Sequence, residues 1–168
     1  MLMYHPAFDA NHCVYRILSI LYATKNVSIS WSLLRMMDFY YLFPSQLKNI
    51  KPWPRQIQKM KSIALNVPDQ YEDLTNPART FFELQTVQKT AILELMAKGV
   101  VSKKSFGEGI VKLEDEALSQ VFENLLDADE FVQSDAFMLI VKGLPLVKFG
   151  GSQGLKHRSG LMEYVYDL

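Results

Sequence analysis

Three histidines and one cysteine are the residues of this chain best suited to metal binding or nucleophilic catalysis. His5, Asp9, His12 and Cys13 are close in sequence, but Pro6 separates the two histidines, and neither HxxxH nor CxxC spacing occurs. A cysteine nucleophile also needs a partner base, which the sequence does not identify. We therefore predict no metal site, and a buried thiol near a helix start.

A glycine-rich segment near the end of the chain, KFGGSQGLKHRSG, raises the possibility of a phosphate-binding loop. That loop needs four residues between its glycines, followed by Lys and Ser or Thr, and Gly151, Gly154 and Lys156 do not have this spacing. The carboxylates fall mostly in one block, so no separated pair suggests acid–base catalysis. We predict a protein that is not an enzyme, has no catalytic residue and uses no cofactor.

Length and composition set the broad class. A chain of 168 residues forms one domain or two very small ones, and it buries roughly 70% of its unfolded surface. The N-terminal MLMYHPAFDANH lacks the basic and apolar regions of a signal peptide. No stretch approaches the roughly 20 apolar residues of a membrane span. We expect a cytoplasmic protein that does not enter a membrane.

The formal net charge of zero conceals a strong segregation of charge along the chain. Residues 39–68 contain no acid, and their basic residues are Lys48, Lys51, Arg55, Lys59 and Lys61. Residues 114–135 contain no Lys or Arg, and their acidic residues are Glu114, Asp115, Glu116, Glu123, Asp127, Asp129, Glu130 and Asp135. Residues 142–158 are basic again. Such segregation indicates oriented partners, while solvated helix faces remain the alternative.

Local signals predict the first helices. Asp9 is a suitable N-cap for a helix with apolar residues at helical spacing, and Ser30 or Ser28 caps a second. The run DFYYLFP ends that second helix, because Pro44 cannot continue it. A connector at 51–56, a short helix and a loop at 66–77 follow. Asn76 and Pro77 then begin a long helix that reaches about Lys98 and ends at Gly99.

The second half of the chain is predicted to form two helices between two hairpins. Residues 99–113 resemble a β-hairpin, helices follow at about 114–127 and 129–142, and the tail resembles a second hairpin. We predict a mainly α fold (α+β) of winged-helix-like units with short β-hairpin wings. Its parts are 1–66 and 76–168, or one compact domain. Basic residues at the hairpin turns are candidates for DNA binding: Lys103, Lys104, Lys156 and Arg158.

Two unusual motifs carry a family resemblance. YHPAFDANHCVYR at 4–16 and DFYYLFP at 38–44 resemble the N-terminal signature of the middle component of ABC-type three-component systems, the small subunit of Lamassu-type bacterial anti-phage and anti-plasmid defence. The resemblance is strongest from Tyr4 to Pro44. It implies a non-enzymatic accessory subunit that acts with an SMC-like coiled-coil ATPase and an effector subunit, often a nuclease, in a complex that senses DNA.

The resemblance also suggests which residues bind partners. We expect the interface to include Tyr4, Phe8, Asp9, His12, Arg16, Asp38, Phe39 and Phe43. Of these, Asp38 and Phe39 are predicted on an outward-facing side of the second helix. The competing hypothesis is a free-standing winged-helix DNA-binding regulator, against which the long acidic block argues. A small hydrolase or nuclease would require clustered metal ligands.

Overall fold

The computed structural model of the chain describes residues 5–70 and 74–164. This part is mainly helical, as predicted. Its α-helices are α1 (Ala10–Ala23), α2 (Trp31–Leu42), α3 (Lys61–Asn66), α4 (Pro77–Glu83), α5 (Gln85–Ala97), α6 (Lys103–Gly107), α7 (Gln120–Ala128), α8 (Asp135–Met138) and α9 (Leu155–Ser159). Its strands are β1 (Ile29–Ser30) and β2 (Ile110–Val111). Short 3₁₀ turns lie at Pro6–Phe8, Pro44–Asn49, Arg55–Met60 and Leu144–Leu146, and a π-helical turn at Leu139–Gly143.

The first two helices begin at the residues that the sequence predicts. The Asp9 carboxylate accepts a hydrogen bond from the His12 backbone N–H at 3.0 Å and caps α1. The Ser30 hydroxyl accepts one from the Leu33 N–H at 3.1 Å and caps α2. Each cap satisfies a backbone donor that the first helical turn leaves without a partner.

Proline and glycine end the helices where predicted. Phe43 leaves helical angles, with φ −128° and ψ 64°, so α2 stops before Pro44. Asn76 caps α4 through its side chain, as expected. The predicted long helix is interrupted at the buried Leu84, which separates α4 from α5. Gly99 follows α5 with a left-handed φ of 71°, an angle that glycine adopts without strain.

The two strands form one small antiparallel sheet. Ile29 of β1 lies opposite Val111 of β2. A further antiparallel bridge joins Val101 to Leu113. The segment after α5 therefore pairs with itself and with the strand between α1 and α2.

Only the first and last residues of the hairpin predicted at 99–113 pair with each other. The Ser102 N–H donates to the Lys112 carbonyl at 2.9 Å, but α6 replaces the turn between them. The Ser102 hydroxyl caps α6, and Phe106 packs edge-on against Trp31 with ring centroids 5.6 Å apart. This cap and this ring contact favour a helical turn, so the expected wing tip is a short helix.

The hairpin predicted in the tail is wrong over the described residues, because α9 forms there. The Leu155 N–H donates to the Lys148 carbonyl at 2.9 Å, and the Leu155 side chain is fully buried. Gly160 ends α9 with φ 65°. Residues 165–168, the end of the predicted hairpin, lie outside the described residues.

The two helices predicted after the first hairpin are shorter than expected. α7 begins after its cap Ser119, because Glu116 has φ 57°, which a right-handed helix cannot contain. α8 begins after its cap Ser134 and continues into the π-helical turn. Residues 114–118 are thus an exposed or half-buried acidic loop.

The core joins the N-terminal and C-terminal parts of the chain. α1 packs against both α2 and α5, and α3 packs against α8. The buried apolar side chains form a cluster that includes Ile17 and Leu34 from the first part and Ile92 and Leu139 from the second. Within the described residues, no helix is both long and apolar enough to cross a membrane.

Candidate protein interface and charged surfaces

A buried polar network links α1, α2 and α5. The Arg16 guanidinium donates to both Asp38 carboxylate oxygens, through Nε at 2.6 Å and Nη2 at 3.2 Å. Gln88 of α5 donates to the same carboxylate from Nε2 at 2.9 Å. The Gln88 side-chain oxygen Oε1 accepts a hydrogen bond from Arg35 Nε at 3.0 Å. Arg16, Asp38 and Gln88 are buried, so the network holds three helices together inside the core.

The charges of this network set the ionisation of its neighbours. Burial alone lowers the pKa of Arg16, but the nearby Asp38 carboxylate outweighs it and raises that pKa. Burial, followed by the Asp38 charge, strongly raises the pKa of the Cys13 thiol. Cys13 is fully buried with Sγ 4.0 Å from an Asp38 oxygen. Its thiol is therefore neutral and inaccessible, the opposite of an activated nucleophile.

The structure corrects the predicted orientation of Asp38 and Phe39, which do not face outward. Both side chains are fully buried, and Phe39 packs against Phe81 with ring centroids 6.0 Å apart. Arg16 is buried as well, and Phe43 is 8% exposed. These four residues belong to the core because the Arg16–Asp38 pair turns this face of α2 toward α1 and α5.

The other predicted partner-binding residues lie at the start of α1. Phe8 is 46% exposed, His12 is exposed and Asp9 is half-buried as the helix cap. Tyr4 lies outside the described residues. His5 accepts a hydrogen bond from the Ala7 N–H through Nδ1 at 3.2 Å. Within residues 5–70 and 74–164, no three His, Cys, Asp or Glu side chains are grouped to hold a metal ion.

α7 carries an apolar surface that the sequence analysis missed. Val121 and Leu125, one helical turn apart, are 70% and 55% exposed. We call these two side chains the α7 face. The opposite side of α7 packs inward, through the buried Leu126 and through Phe122, whose ring lies 5.8 Å from that of Tyr15. The α7 face is thus not needed by the core of this chain.

α1 and α7 are joined by a second contact. The Tyr15 hydroxyl donates to Asp129 Oδ2 at 2.6 Å. Burial and this hydrogen bond raise the pKa of Tyr15 to about 12, so the hydroxyl keeps its proton at neutral pH. Tyr15 lies three residues after His12, and residues three apart are neighbours on a helix surface. The accessible residues at the start of α1 therefore lie near α7.

Exposed acidic side chains precede, lie on and follow α7 in the chain. Glu114, Asp115, Glu116, Asp127 and Glu130 are all exposed. A cavity of about 200 Å³ lies between the acidic loop 114–118 and the end of α1. An exposed apolar pair on a helix with acidic residues in and beside it is suited to a partner with an apolar patch and basic residues.

The four predicted DNA-binding residues are divided between two helices. Lys103 and Lys104 lie on α6, which packs against the first residue of α2. Lys156 and Arg158 lie on α9. Lys156 is exposed, but the Arg158 guanidinium donates to the carbonyl of Pro52 and to both Gln153 oxygens. Arg158 is thus held within the protein and not extended toward solvent.

The described part of the chain is mainly helical and leaves the α7 face uncovered. The sequence model of the ABC-three component (ABC-3C) system Middle Component 5 matches residues 2–167, so the chain belongs to this family. The resemblance found in the first third of the sequence is confirmed at this level: the chain is the middle, accessory component of a three-component system, and its partners are the other components. No curated protein and no solved structure matches the chain.

Proposed function

We propose that the chain is a non-enzymatic accessory subunit that bridges the heads of an SMC-like coiled-coil ATPase to an effector subunit of the nuclease type. The assembly would sense DNA and act in Lamassu-type defence against phages and plasmids. Family membership supports the accessory role. The uncovered α7 face is the observation that carries the bridging role.

The α7 face leaves apolar surface uncovered. Val121 and Leu125 expose most of their apolar surface to water, while Phe122 and Leu126 on the other side already anchor α7 to the core. Covering the two exposed side chains would be favourable by roughly 25 cal/mol per Å². The acidic residues on and beside α7 would select a partner surface with basic residues and disfavour an acidic one.

The absence of catalysis is part of this proposal. The only cysteine, Cys13, is buried and neutral, so substrate does not reach it. The histidines considered for metal binding, His5 and His12, are near the start of α1, where His5 accepts a backbone hydrogen bond. The chemistry of the system would then reside in the other two components.

A second candidate function is a winged-helix DNA-binding regulator that acts alone. The strand between α1 and α2 pairs with β2, which follows α5 and α6, and this pairing of two strands across intervening helices is the feature that favours a winged helix. α3 and α4 also lie between the two strands. We therefore propose winged-helix ancestry for the core. A free-standing regulator would bind duplex DNA tightly without partners, whereas an accessory subunit would need the assembly.

Co-purification tests the proposed interface. With the three components co-expressed and one of the other two tagged, we expect the chain to be retained, and Val121→Ser with Leu125→Ser to abolish retention. Removing a central interface side chain typically costs about 2 kcal/mol or more of binding. Both residues are exposed, so the melting temperature of the variant should stay that of the wild type.

Leu146→Ser is the matched control, since Leu146 is an equally exposed leucine elsewhere on the surface. Retention of the double variant would reject the α7 face as the interface. Equal loss in the control would show that apolar surface in general, and not this face, is responsible.

A further inference from the structure

Two basic stretches that are about a hundred residues apart in sequence meet in the structure. Residues 39–68 and residues 136–162 contain no acidic residue. The Lys51 N–H donates to the Arg158 carbonyl at 3.0 Å. The Arg158 guanidinium in turn donates to the Pro52 carbonyl. Arg158 therefore joins α9 to the connector after α2, and the two stretches meet at this point.

The cations of this surface are available to a ligand. Lys51, Arg55 and Lys61 are exposed, and among the described residues they form no salt bridge. Lys48, also on this surface, is paired with Asp69. An exposed cation that has no internal partner can neutralise a ligand anion without first losing an ion pair.

Trp53 lies between two grooves of this surface. Lys51 and Lys61 line one groove, which has a volume of about 310 Å³. Arg55 lines the other, which has a volume of about 430 Å³. Trp53 lines both grooves, and its Nε1–H donates to the Ile57 carbonyl at 2.9 Å, which fixes the edge of the ring. The result is a fixed aromatic ring with cations on both sides. We call Lys51, Trp53, Arg55 and Lys61 the Trp53 surface.

We propose that the Trp53 surface binds a single strand of DNA, with its phosphates at the flanking cations and a base stacked on the Trp53 ring. The inference rests on the proposed function, because DNA is the anion that an assembly sensing DNA would present. Cationic grooves beside aromatic rings are the means by which proteins bind single strands without reading sequence. A duplex keeps its bases stacked on one another and does not offer one to the ring.

This surface differs from the contact predicted from sequence. Arg158 takes part as a positioning residue, because its guanidinium is bonded to Pro52 and Gln153 and not extended to solvent. Lys103 and Lys104 are exposed on α6, outside the two grooves that Trp53 lines. An acidic protein segment would also be attracted by the cations, but it gains nothing from the half-buried aromatic ring between them.

Fluorescence anisotropy with the purified full chain tests the proposal. The probe is a labelled single strand of about 20 nucleotides, longer than the roughly 4–16 nucleotides that such surfaces contact. We expect binding that is readily measured at about 50 mM NaCl and weakens to a dissociation constant on the order of 10⁻⁴ M at physiological salt. A duplex of the same length should bind more weakly.

Charge reversal identifies the surface. Lys51→Glu with Arg55→Glu and Lys61→Glu should weaken strand binding at least about tenfold and reduce the salt slope by about 2, since each phosphate contact contributes roughly 0.7. The matched control reverses three exposed lysines elsewhere: Lys25→Glu, Lys89→Glu and Lys112→Glu. The control carries the same net charge and should bind within about twofold of the wild type.

The ring is tested separately. Trp53→Leu should weaken strand binding at least about fivefold, because stacking of one base contributes that much. The chain has two tryptophans, so Trp31→Phe leaves Trp53 as the sole indole. The strand should then quench the remaining tryptophan fluorescence, a signal that purely ionic binding does not produce.

Three outcomes would overturn the inference. The first is equal weakening in the two charge-reversed variants, and the second is no effect of Trp53→Leu. The third is equal affinity for polyglutamate of the same charge, which would assign the surface to an acidic protein. The assay needs no other component, so a chain that binds the strand but is not retained by its partners would reject the proposed function alone.

Discussion

The hydrogen bonds around Asp38 decide what the Arg16 charge contributes to stability. A buried ion pair loses the hydration of both charges, and it is tolerated only where other groups complete its hydrogen bonds. Here Gln88 donates a third hydrogen bond to the carboxylate at 2.9 Å. The described part of the chain leaves no buried side-chain nitrogen or oxygen without a partner. Asp38 therefore depends on both of its donors.

We expect Arg16→Met to lower the free energy of unfolding by about 3–5 kcal/mol, because it leaves the Asp38 carboxylate buried without its cation. Urea denaturation of the isolated chain measures this. Lys98→Met is the control, because it removes an exposed salt bridge in which Lys98 Nζ lies 2.8 Å from Glu94 Oε1. Such an exposed pair contributes at most about 1 kcal/mol to stability. Similar denaturation midpoints for the two variants would show that the buried pair contributes little.

The sequence singled out Arg16 and Asp38, but it could not predict that they form a buried ion pair. A charged residue in an apolar helix is compatible with an interface and with a buried ion pair, and the resemblance favoured the interface. Gln88 lies 50 residues beyond Asp38, and nothing local marks it as the third member. The available signal was Asp38 itself, because an acid within a long apolar run needs a partner inside the core.

At the scale of elements, Gly154 fixes the turn that leads into α9. A Cβ at this position would overlap the carbonyl oxygens of Phe149 and Gly150, which are backbone atoms and do not yield easily. We expect Gly154→Ala to destabilise the chain by about 1–3 kcal/mol, as overpacking does. Thermal unfolding followed by circular dichroism measures the change.

Gly107 provides the comparison for this prediction. It lies in α6, and a Cβ there would meet no atom within 4 Å. Gly107→Ala should stabilise the chain by about 0.4–1 kcal/mol, because alanine restricts the unfolded chain more than glycine. A result in which Gly154→Ala is as mild as Gly107→Ala would mean that the turn rearranges freely.

The starts of α1, α2 and α4 were the most predictable part of the fold. Asp9, Ser30 and Asn76 each cap a helix by accepting a hydrogen bond from a backbone N–H three residues further along the chain. The sequence signal for these caps is therefore local. The hairpins were not predictable, since glycines next to short apolar runs suit a strand turn and a short helix alike. Distant contacts decided the outcome, such as that of Phe106 with Trp31 in α2.

At the scale of the molecule, the contacts between α1 and α5 and between β1 and β2 tie the two predicted parts together. We expect one cooperative thermal transition, with a calorimetric enthalpy equal to the van't Hoff enthalpy. Differential scanning calorimetry of the full chain measures both. Two resolved transitions would instead support separate units at 1–66 and 76–168.

The segregation of charge gives this molecule a property that its net charge does not reveal. A chain with equal numbers of acidic and basic residues, grouped in different stretches, has an electric dipole. In the field of a charged partner, a dipole experiences a torque before contact, so the molecule tends to arrive already turned to one orientation. Because salt screens such fields beyond about 8 Å at physiological ionic strength, the rate of assembly becomes more sensitive to ionic strength than the affinity of the finished complex.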